Sequence, residues 1–149
     1  GFYAIMDNFN YERYMMGAQM LGMSQRCFDE CVSYAKERNT FGKALIEHQV
    51  IRHKIAEMVR KIQATDCYIQ IVSRQIQLGN EDAAAIALLK VQSSQTMEFC
   101  AREAMQIMGG VSYMRGGRVE RIYREVRVNA IGGGSEEIMR DLAARQLGL

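Results

Sequence analysis

The 149-residue chain contains no proline. Average usage of about 5% would place roughly seven prolines in a chain of this length. The proline ring and its missing N–H break helices in their interior, so this limit on helix length is absent. Methionine, a good helix former that fills irregular cores, is abundant at 11 residues. The composition therefore favours an all-α fold with long helices.

Length and charge restrict the function classes. The length fits one domain, and 48% apolar with 24% charged residues is ordinary for a globular chain. Nineteen basic and 17 acidic residues leave a net charge of +2, which is too small to indicate a nucleic-acid or anionic-membrane surface. No apolar run approaches the roughly 20 residues of a membrane span. The opening has neither an initiator methionine nor a signal-peptide start, so we interpret the chain as part of a longer protein.

Cysteine and histidine spacing does not predict a metal centre. No cysteine pair has the Cys-x-x-Cys spacing of zinc or thioredoxin-like sites. Neither histidine follows a glutamate by three residues, as a di-iron bundle would require. We predict reduced, partly buried thiols and no metal. The residues concerned are Cys27, Cys31, Cys67, Cys100, His48 and His53.

Two long helices are predicted in the first half. Asn8 and Asn10 are candidate N-caps for a helix reaching about Arg38, after an irregular start over residues 1–8. A second helix ends at Gly79, which suits a C-terminal cap. Its apolar residues recur at helical spacing: Ile51, Ile55, Met58, Ile62, Ile69, Val72 and Ile76.

The second half predicts one long and one short helix. Asp82 can cap a helix that runs to about Met108. A loop follows, with a single possible helical turn at 119–124. Ser135 can cap a final helix ending near Gln146. Three long helices and one short helix predict an up-down four-helix bundle.

Three local patterns allow both a functional and a structural interpretation. Glycines 132–134 before Ser135 could bring backbone N–H groups to an anion, or form a plain turn. Arg38 with Phe41 could clamp a phosphate and a flat ring, or cap a helix and fill the core. Glu12 could be a general base, or a solvated acid in a first helical turn. The residues alone leave these alternatives open.

Four segments, in this order and spacing, resemble the acyl-CoA dehydrogenases. They are Arg38-x-x-Phe41-Gly42 followed by Gln49; Gln106 to Tyr113, with Ser112 replacing a glycine; Val119 to Arg127, with Glu125 replacing an aspartate; and Ile131 to Ile138. The resemblance covers essentially the whole chain. It implies the C-terminal helical-bundle domain of a longer flavoenzyme.

The resemblance also implies a reaction and partners. Such an enzyme uses FAD to introduce an α,β double bond into an acyl-CoA thioester, with a carboxylate removing the α proton while the β hydride moves to the flavin. It implies self-association into a dimer or tetramer, reoxidation by an electron-transfer flavoprotein, and a mitochondrial matrix or bacterial cytoplasmic location. The alternatives are an acyl-CoA oxidase-like enzyme, or a catalytically silent helical domain for oligomerisation or lipid-ligand binding.

The resemblance assigns cofactor contacts to two sets of residues. One set would contact the FAD of a neighbouring subunit: Arg38, Thr40, Phe41, Gln49, Gln106, Met108, Gly109 and Gly110. The other set would meet the FAD bound mainly by its own chain: Ser135, Glu136 and Glu137.

The catalytic base needs a separate assignment. Most family members carry it at the position of Gly133, which has no side chain. In isovaleryl- and long-chain-type members a glutamate on the first helix replaces it, and the matching residue is Glu12. As a base beside a flavin, Glu12 is expected to be buried. The residues expected to line the substrate entrance are Asn10, Tyr11, Arg13 and Gly134.

Overall fold

The computed structural model describes residues 2–149, with side chains from residue 8 onward. Its elements are α1 (Phe2–Glu37), β1 (Asn39–Thr40), β2 (Lys43–Ala44), α2 (Gln49–Gln77), α3 (Ala83–Met108), α4 (Arg118–Ile131) and α5 (Glu136–Gln146), with 3-10 turns at Leu45–Glu47 and Gly109–Tyr113. The predicted all-α bundle is confirmed. Across residues 2–149, every helix is too short or too polar to span a bilayer.

Helix α3 is the centre of the bundle, since it packs against α1, α2, α4 and α5. Its contact with α1 is close because both helices present small residues. A Cβ on Gly17 would lie 3.3 Å from Ser93 Oγ. Further along the same contact, Cys27 and Cys31 are buried in one cluster with Cys100. Small side chains let two helix backbones approach closely, so this α1–α3 contact fixes where the remaining helices can pack.

Three of the predicted caps are confirmed: Asp82, Ser135 and Gly79. The Asp82 carboxylate accepts hydrogen bonds from the backbone N–H groups of Ala84 and Ala85 at 2.9 and 3.1 Å. Ser135 Oγ accepts from the N–H of Ile138. Gly79, at φ +78°, follows the end of α2. Each cap satisfies helix-terminal groups that would otherwise lack partners.

The predicted irregular start is wrong for residues 2–8, because α1 begins at Phe2; Gly1 lies outside the described residues. Between Phe2 and Met16 the sequence has neither glycine nor proline, so nothing there breaks the helix. Asn8 and Asn10 do not cap. Their side chains bond along the helix instead, to Glu12 and Arg13 respectively.

Two further differences concern α4 and the chain's only described strands. The segment predicted as a loop with one helical turn is a 14-residue helix. Its buried apolar residues recur at helical spacing but are separated by arginines and glutamates: Val119, Ile122, Val126 and Ala130. The strands β1 and β2 form a two-residue hairpin that the sequence did not predict.

The cysteine prediction holds for three residues and fails for one. Cys27, Cys31 and Cys100 are fully buried, whereas Cys67 is exposed on α2. Burial raises the pKa of Cys31 and of Cys100 to about 12. The three buried thiols are therefore protonated and unreactive at neutral pH.

Two adjacent serines on α3 give a matched test of the unpartnered Ser93 hydroxyl at the α1–α3 contact. Ser93 Oγ is buried without a hydrogen-bond partner among the described residues, so Ser93→Ala should raise the free energy of unfolding by about 0.5–1 kcal/mol. Ser94 Oγ lies 2.7 Å from the Glu136 carboxylate, so Ser94→Ala should lower it by about 1–2 kcal/mol. Urea unfolding followed by circular dichroism measures both. If both variants lowered the free energy of unfolding equally, the unpartnered state of the Ser93 hydroxyl would be contradicted.

Candidate functional site

Glu12 and the glycine turn (Gly132–Gly134) lie together at one end of the bundle, which we call the glycine end. The turn is joined to α1 next to Glu12, because Arg13 Nε donates a hydrogen bond to the carbonyl oxygen of Gly133 at 2.9 Å. Residues 120 positions apart in the sequence are thus adjacent in the structure. The turn has its shape because Gly133 and Gly134 adopt φ +70° and +121°, which strongly favour glycine.

The two candidate base positions converge at the glycine end. A Cβ added to Gly133 would lie 3.0 Å from Met16 Sδ and 3.9 Å from Arg13 Cγ. Met16 is one helical turn from Glu12, and Arg13 is its neighbour. A side chain at position 133 would therefore project toward the part of α1 that carries Glu12. A side chain on the glycine turn and the side chain of Glu12 would therefore belong to the same region of the molecule.

Glu12 itself is exposed, so this chain alone does not supply the burial expected of it. Its neighbours Tyr11 and Met15 are likewise 60% and 47% exposed. The carboxylate accepts a hydrogen bond from Asn8 Nδ2 at 2.8 Å. It lines an open groove of about 540 Å³. The groove residues are Tyr11, Glu12, Met15, Met16 and Gln19.

Arg13 is buried, with 8% of its surface exposed. Besides the bond to Gly133, its guanidinium donates to Asn10 Oδ1 at 3.2 Å and stacks over the ring of Phe9 at 5.6 Å. Burial lowers the pKa of Arg13, while the charge of Glu12 opposes this effect. Arg13 thus joins α1 to the turn, and Asn10 holds the Arg13 guanidinium from within α1. Their contact with substrate stays a prediction.

Lys90 is a residue of this end that sequence reasoning missed. It is completely buried, and its ammonium donates to the carbonyl oxygens of Ala130 and Gly134 at 3.0 and 2.5 Å. Burial lowers the pKa of Lys90; the charge of Glu136 raises it and that of Arg13 lowers it further. The available signal was a single charged residue within an apolar stretch, AAAIALLKV.

The start of α5 completes the glycine end. Burial alone would raise the pKa of Glu136, but hydrogen bonds from Ser94, Gln95 and Arg140 outweigh it, so the pKa is lowered. These bonds measure 2.7, 3.2 and 3.0 Å. Glu136 thus joins α5 to α3, while Glu137 is exposed. Of the three predicted cofactor contacts here, Ser135 and Glu136 already serve the fold.

The opposite end of the bundle, which we call the hairpin end, carries the other predicted cofactor residues. Phe41 is at the tip of the β-hairpin and is 97% exposed. Its φ of +50° is the only positive value at a non-glycine position within residues 2–149. Thr40 Oγ1 lies 3.0 Å from His48 Nε2, and the His48 ring meets Phe41 edge-on at 6.2 Å. The fold therefore holds an aromatic ring in solvent on a strained backbone, a combination that suits a contact surface for another molecule.

Most of the other predicted cofactor residues are exposed polar groups or open glycine backbone. Arg38, Gln49 and Gln106 are exposed, whereas Met108 is half-buried in the cluster that also contains residues 45 and 46. A Cβ on Gly109 or Gly110 would meet nothing within 4 Å, so a ligand can approach this backbone. An exposed ring, a guanidinium, two amides and an open glycine backbone suit the ring and pyrophosphate of a dinucleotide.

The two ends are far apart. Arg38 directly follows α1 and is 26 positions after Glu12, which corresponds to about 39 Å at the helical rise of 1.5 Å per residue. The hairpin end and the glycine end of one chain are therefore separate regions of its surface.

Comparison with known proteins decides the family. The family model for the acyl-CoA dehydrogenase C-terminal domain matches residues 1–148. The chain belongs to the acyl-CoA dehydrogenase family. An acyl-CoA dehydrogenase, AFT10-1, of Alternaria alternata is 39% identical over 98% of the chain and 36% of its own length. A probable acyl-CoA dehydrogenase, YdiO, of Escherichia coli K12 is 35% identical over 99% and 38%.

Solved structures agree with this assignment. The crystal structure of a putative acyl-CoA dehydrogenase from Mycobacterium smegmatis matches with a TM-score of 0.96 at 36% identity, covering 99% of this chain and 39% of that one. The chain therefore spans under two fifths of the length of these relatives. Within the acyl-CoA dehydrogenase family, it corresponds to the C-terminal domain.

The lowered pKa of Glu136 predicts acid-dependent stability. A group whose pKa is lowered by folding stabilises the fold above its unfolded pKa, and this contribution is lost as pH falls through the folded value. Glu136→Gln should lower the free energy of unfolding by about 1 kcal/mol near pH 7 and by much less near pH 3. Urea unfolding at both pH values measures this. Glu137→Gln, which changes the exposed neighbour, should show neither effect. If Glu136→Gln lowered the free energy of unfolding equally at both pH values, the lowered pKa of Glu136 would be refuted.

Proposed function

We propose that this chain is the C-terminal domain of a longer FAD-dependent acyl-CoA dehydrogenase in which Glu12 is the catalytic base. The observation that carries the proposal is the convergence of Glu12 and Gly133. Family resemblance places the usual base at position 133, where this chain has no side chain, and position 133 faces the helix turn that presents Glu12.

The chain's own residues account for substrate placement and proton removal. The apolar groove beside Glu12 has two methionine side chains, which suit the acyl part of a thioester. Asn8 holds the Glu12 carboxylate by a single neutral hydrogen bond, so an oxygen stays available to take the α proton. When bound, FAD supplies the acceptor for the β hydride. We infer that burial of Glu12 comes from parts of the full-length enzyme outside this chain.

The cofactor would be shared between two copies of the chain. We infer that the exposed Glu137 and the backbone at the start of α5 contact the FAD of their own subunit. Arg38 would hold the pyrophosphate of the neighbour's FAD, with Phe41 and the Gly109–Gly110 backbone beside it. The separation of the two ends by about 39 Å supports this arrangement, since the two sets lie on separate regions of one chain's surface.

The base assignment predicts the effect of Glu12→Gln in the full-length enzyme. Because the amide cannot accept the α proton, substrate-dependent flavin reduction should slow at least about 100-fold. Anaerobic titration with short, branched and long acyl-CoAs, followed by flavin absorbance, measures the rate and identifies the preferred acyl class. FAD content should be unchanged. The control Glu30→Gln lies on the same helix, about 27 Å away, and its flavin should be reduced at the wild-type rate. Flavin reduction at the wild-type rate in Glu12→Gln would exclude Glu12 as the base.

Sharing of the cofactor predicts complementation between two inactive variants. Glu12→Gln damages the glycine end, whereas Arg38→Ala should weaken FAD binding at the hairpin end. In a dimer of one Glu12→Gln chain and one Arg38→Ala chain, one active site carries both substitutions and the other active site carries neither. Unfolding and refolding the two variants together should therefore restore roughly a quarter of wild-type activity. Refolded mixtures that stay as inactive as either variant alone would show that both ends serve separate sites.

A further inference from the structure

Lys90 is the one fully buried charged side chain among residues 8–149, and the proposed chemistry gives it no role. Its ammonium contacts carbonyl oxygens at two points of the backbone that leads from α4 into α5. Burying a charge is unfavourable unless its hydrogen bonds are satisfied. A methionine or leucine would fill the same space without that cost, so the retained charge needs an explanation.

The two carbonyl groups lie at opposite ends of the turn. Ala130 is in the last turn of α4, where helix carbonyls lack intrahelical partners and a cation is favourable. Gly134 directly precedes Ser135, the N-cap of α5. One ammonium on α3 therefore fixes both the end of α4 and the start of α5. The turn between them has positive φ at Gly133 and Gly134 and no side chain of its own to hold it in place.

Arg13 holds the same turn from the other side. It donates to the carbonyl oxygen of Gly133, between the two points that Lys90 holds. The neighbouring residue on α1 is Glu12. A buried lysine on α3 and a buried arginine on α1 thus clamp three carbonyl groups of one five-residue segment, Ala130–Gly134, with no carboxylate among these bonds.

We infer that Lys90 is a positioning residue which, together with Arg13, fixes the glycine turn so that Glu12 on α1 and the start of α5 keep a set separation. The inference rests on the proposed function, because that separation places the base relative to the cofactor. Lys90 touches neither substrate nor cofactor and acts through the backbone of the turn. Small displacements of a catalytic group cost much rate: a misplacement of 1 Å costs about 100-fold.

The test compares Lys90→Met with wild type in the full-length, FAD-loaded enzyme. The turn should loosen, so kcat should fall roughly 10- to 100-fold while KM changes less than about twofold and FAD content stays the same. The matched control is Lys36→Met, an exposed lysine on α1, which should leave kcat unchanged. Equal kcat for Lys90→Met and wild type would overturn the inference.

A second readout does not depend on activity. Hydrogen–deuterium exchange of the amides of residues 131–138 should be faster in Lys90→Met than in wild type or Lys36→Met, with or without substrate. If Lys90→Met does not fold, Lys90→Gln is measured instead, because its amide keeps one donor; it should show a smaller change in the same direction. Unchanged exchange in the variant that folds would also overturn the inference.

A double-variant comparison tests whether Lys90 and Arg13 act on one turn. If they do, Lys90→Met combined with Arg13→Gln should lower kcat by less than the product of the two single effects. If the double variant lowered kcat by the full product of the two single effects, Lys90 and Arg13 would act independently, which would contradict a joint action on the turn. A wild-type enzyme whose flavin is never reduced by any acyl-CoA would refute the proposed function, whereas the exchange measurement would still decide the role of Lys90.

Discussion

The close packing of α1 on α3 is the contact on which the rest of the domain depends. Gly17 and Ser93 bring the two backbones together, and the buried thiols continue the contact toward the hairpin end. Because α3 also packs against α2, α4 and α5, its position against α1 determines where each of them lies. The glycine end is a direct product of this contact: α1 contributes Glu12 and Arg13, and α3 contributes Lys90, to a turn that neither helix contains.

Most of the charged residues at the glycine end support the structure of the turn and of the adjoining helices. Arg13, Lys90 and Glu136 are charged residues, and each is bonded to a part of the chain distant in sequence. They leave Glu12 as the charged group of this end that faces an open groove. Such a division is typical of sites in which bonded neighbours set the geometry and one side chain performs the reaction.

The helices were predictable where local chemistry alone decides them. Asp82, Ser135 and Gly79 cap as expected, since a cap depends on residues within one turn. The start of α1 was mispredicted because asparagine is a good cap only when its side chain is free, and Asn8 and Asn10 bond along the helix instead. Helix α4 was missed because its apolar stripe is narrow among many charges. The burial of Lys90 and Arg13 could not be foreseen, because their partners are backbone carbonyls with no sequence signal.

The length of α1 has a consequence for how this domain can change. The helix joins both ends without a break, so inserting or deleting one residue between Arg13 and Arg38 would rotate one end relative to the other by about 100°. It would also shift the small residues that meet α3 out of register. Point substitutions can accumulate along this helix, but changes in its length cannot be absorbed locally. We therefore expect homologues to vary in the loop after α2 while keeping this segment of α1 at constant length.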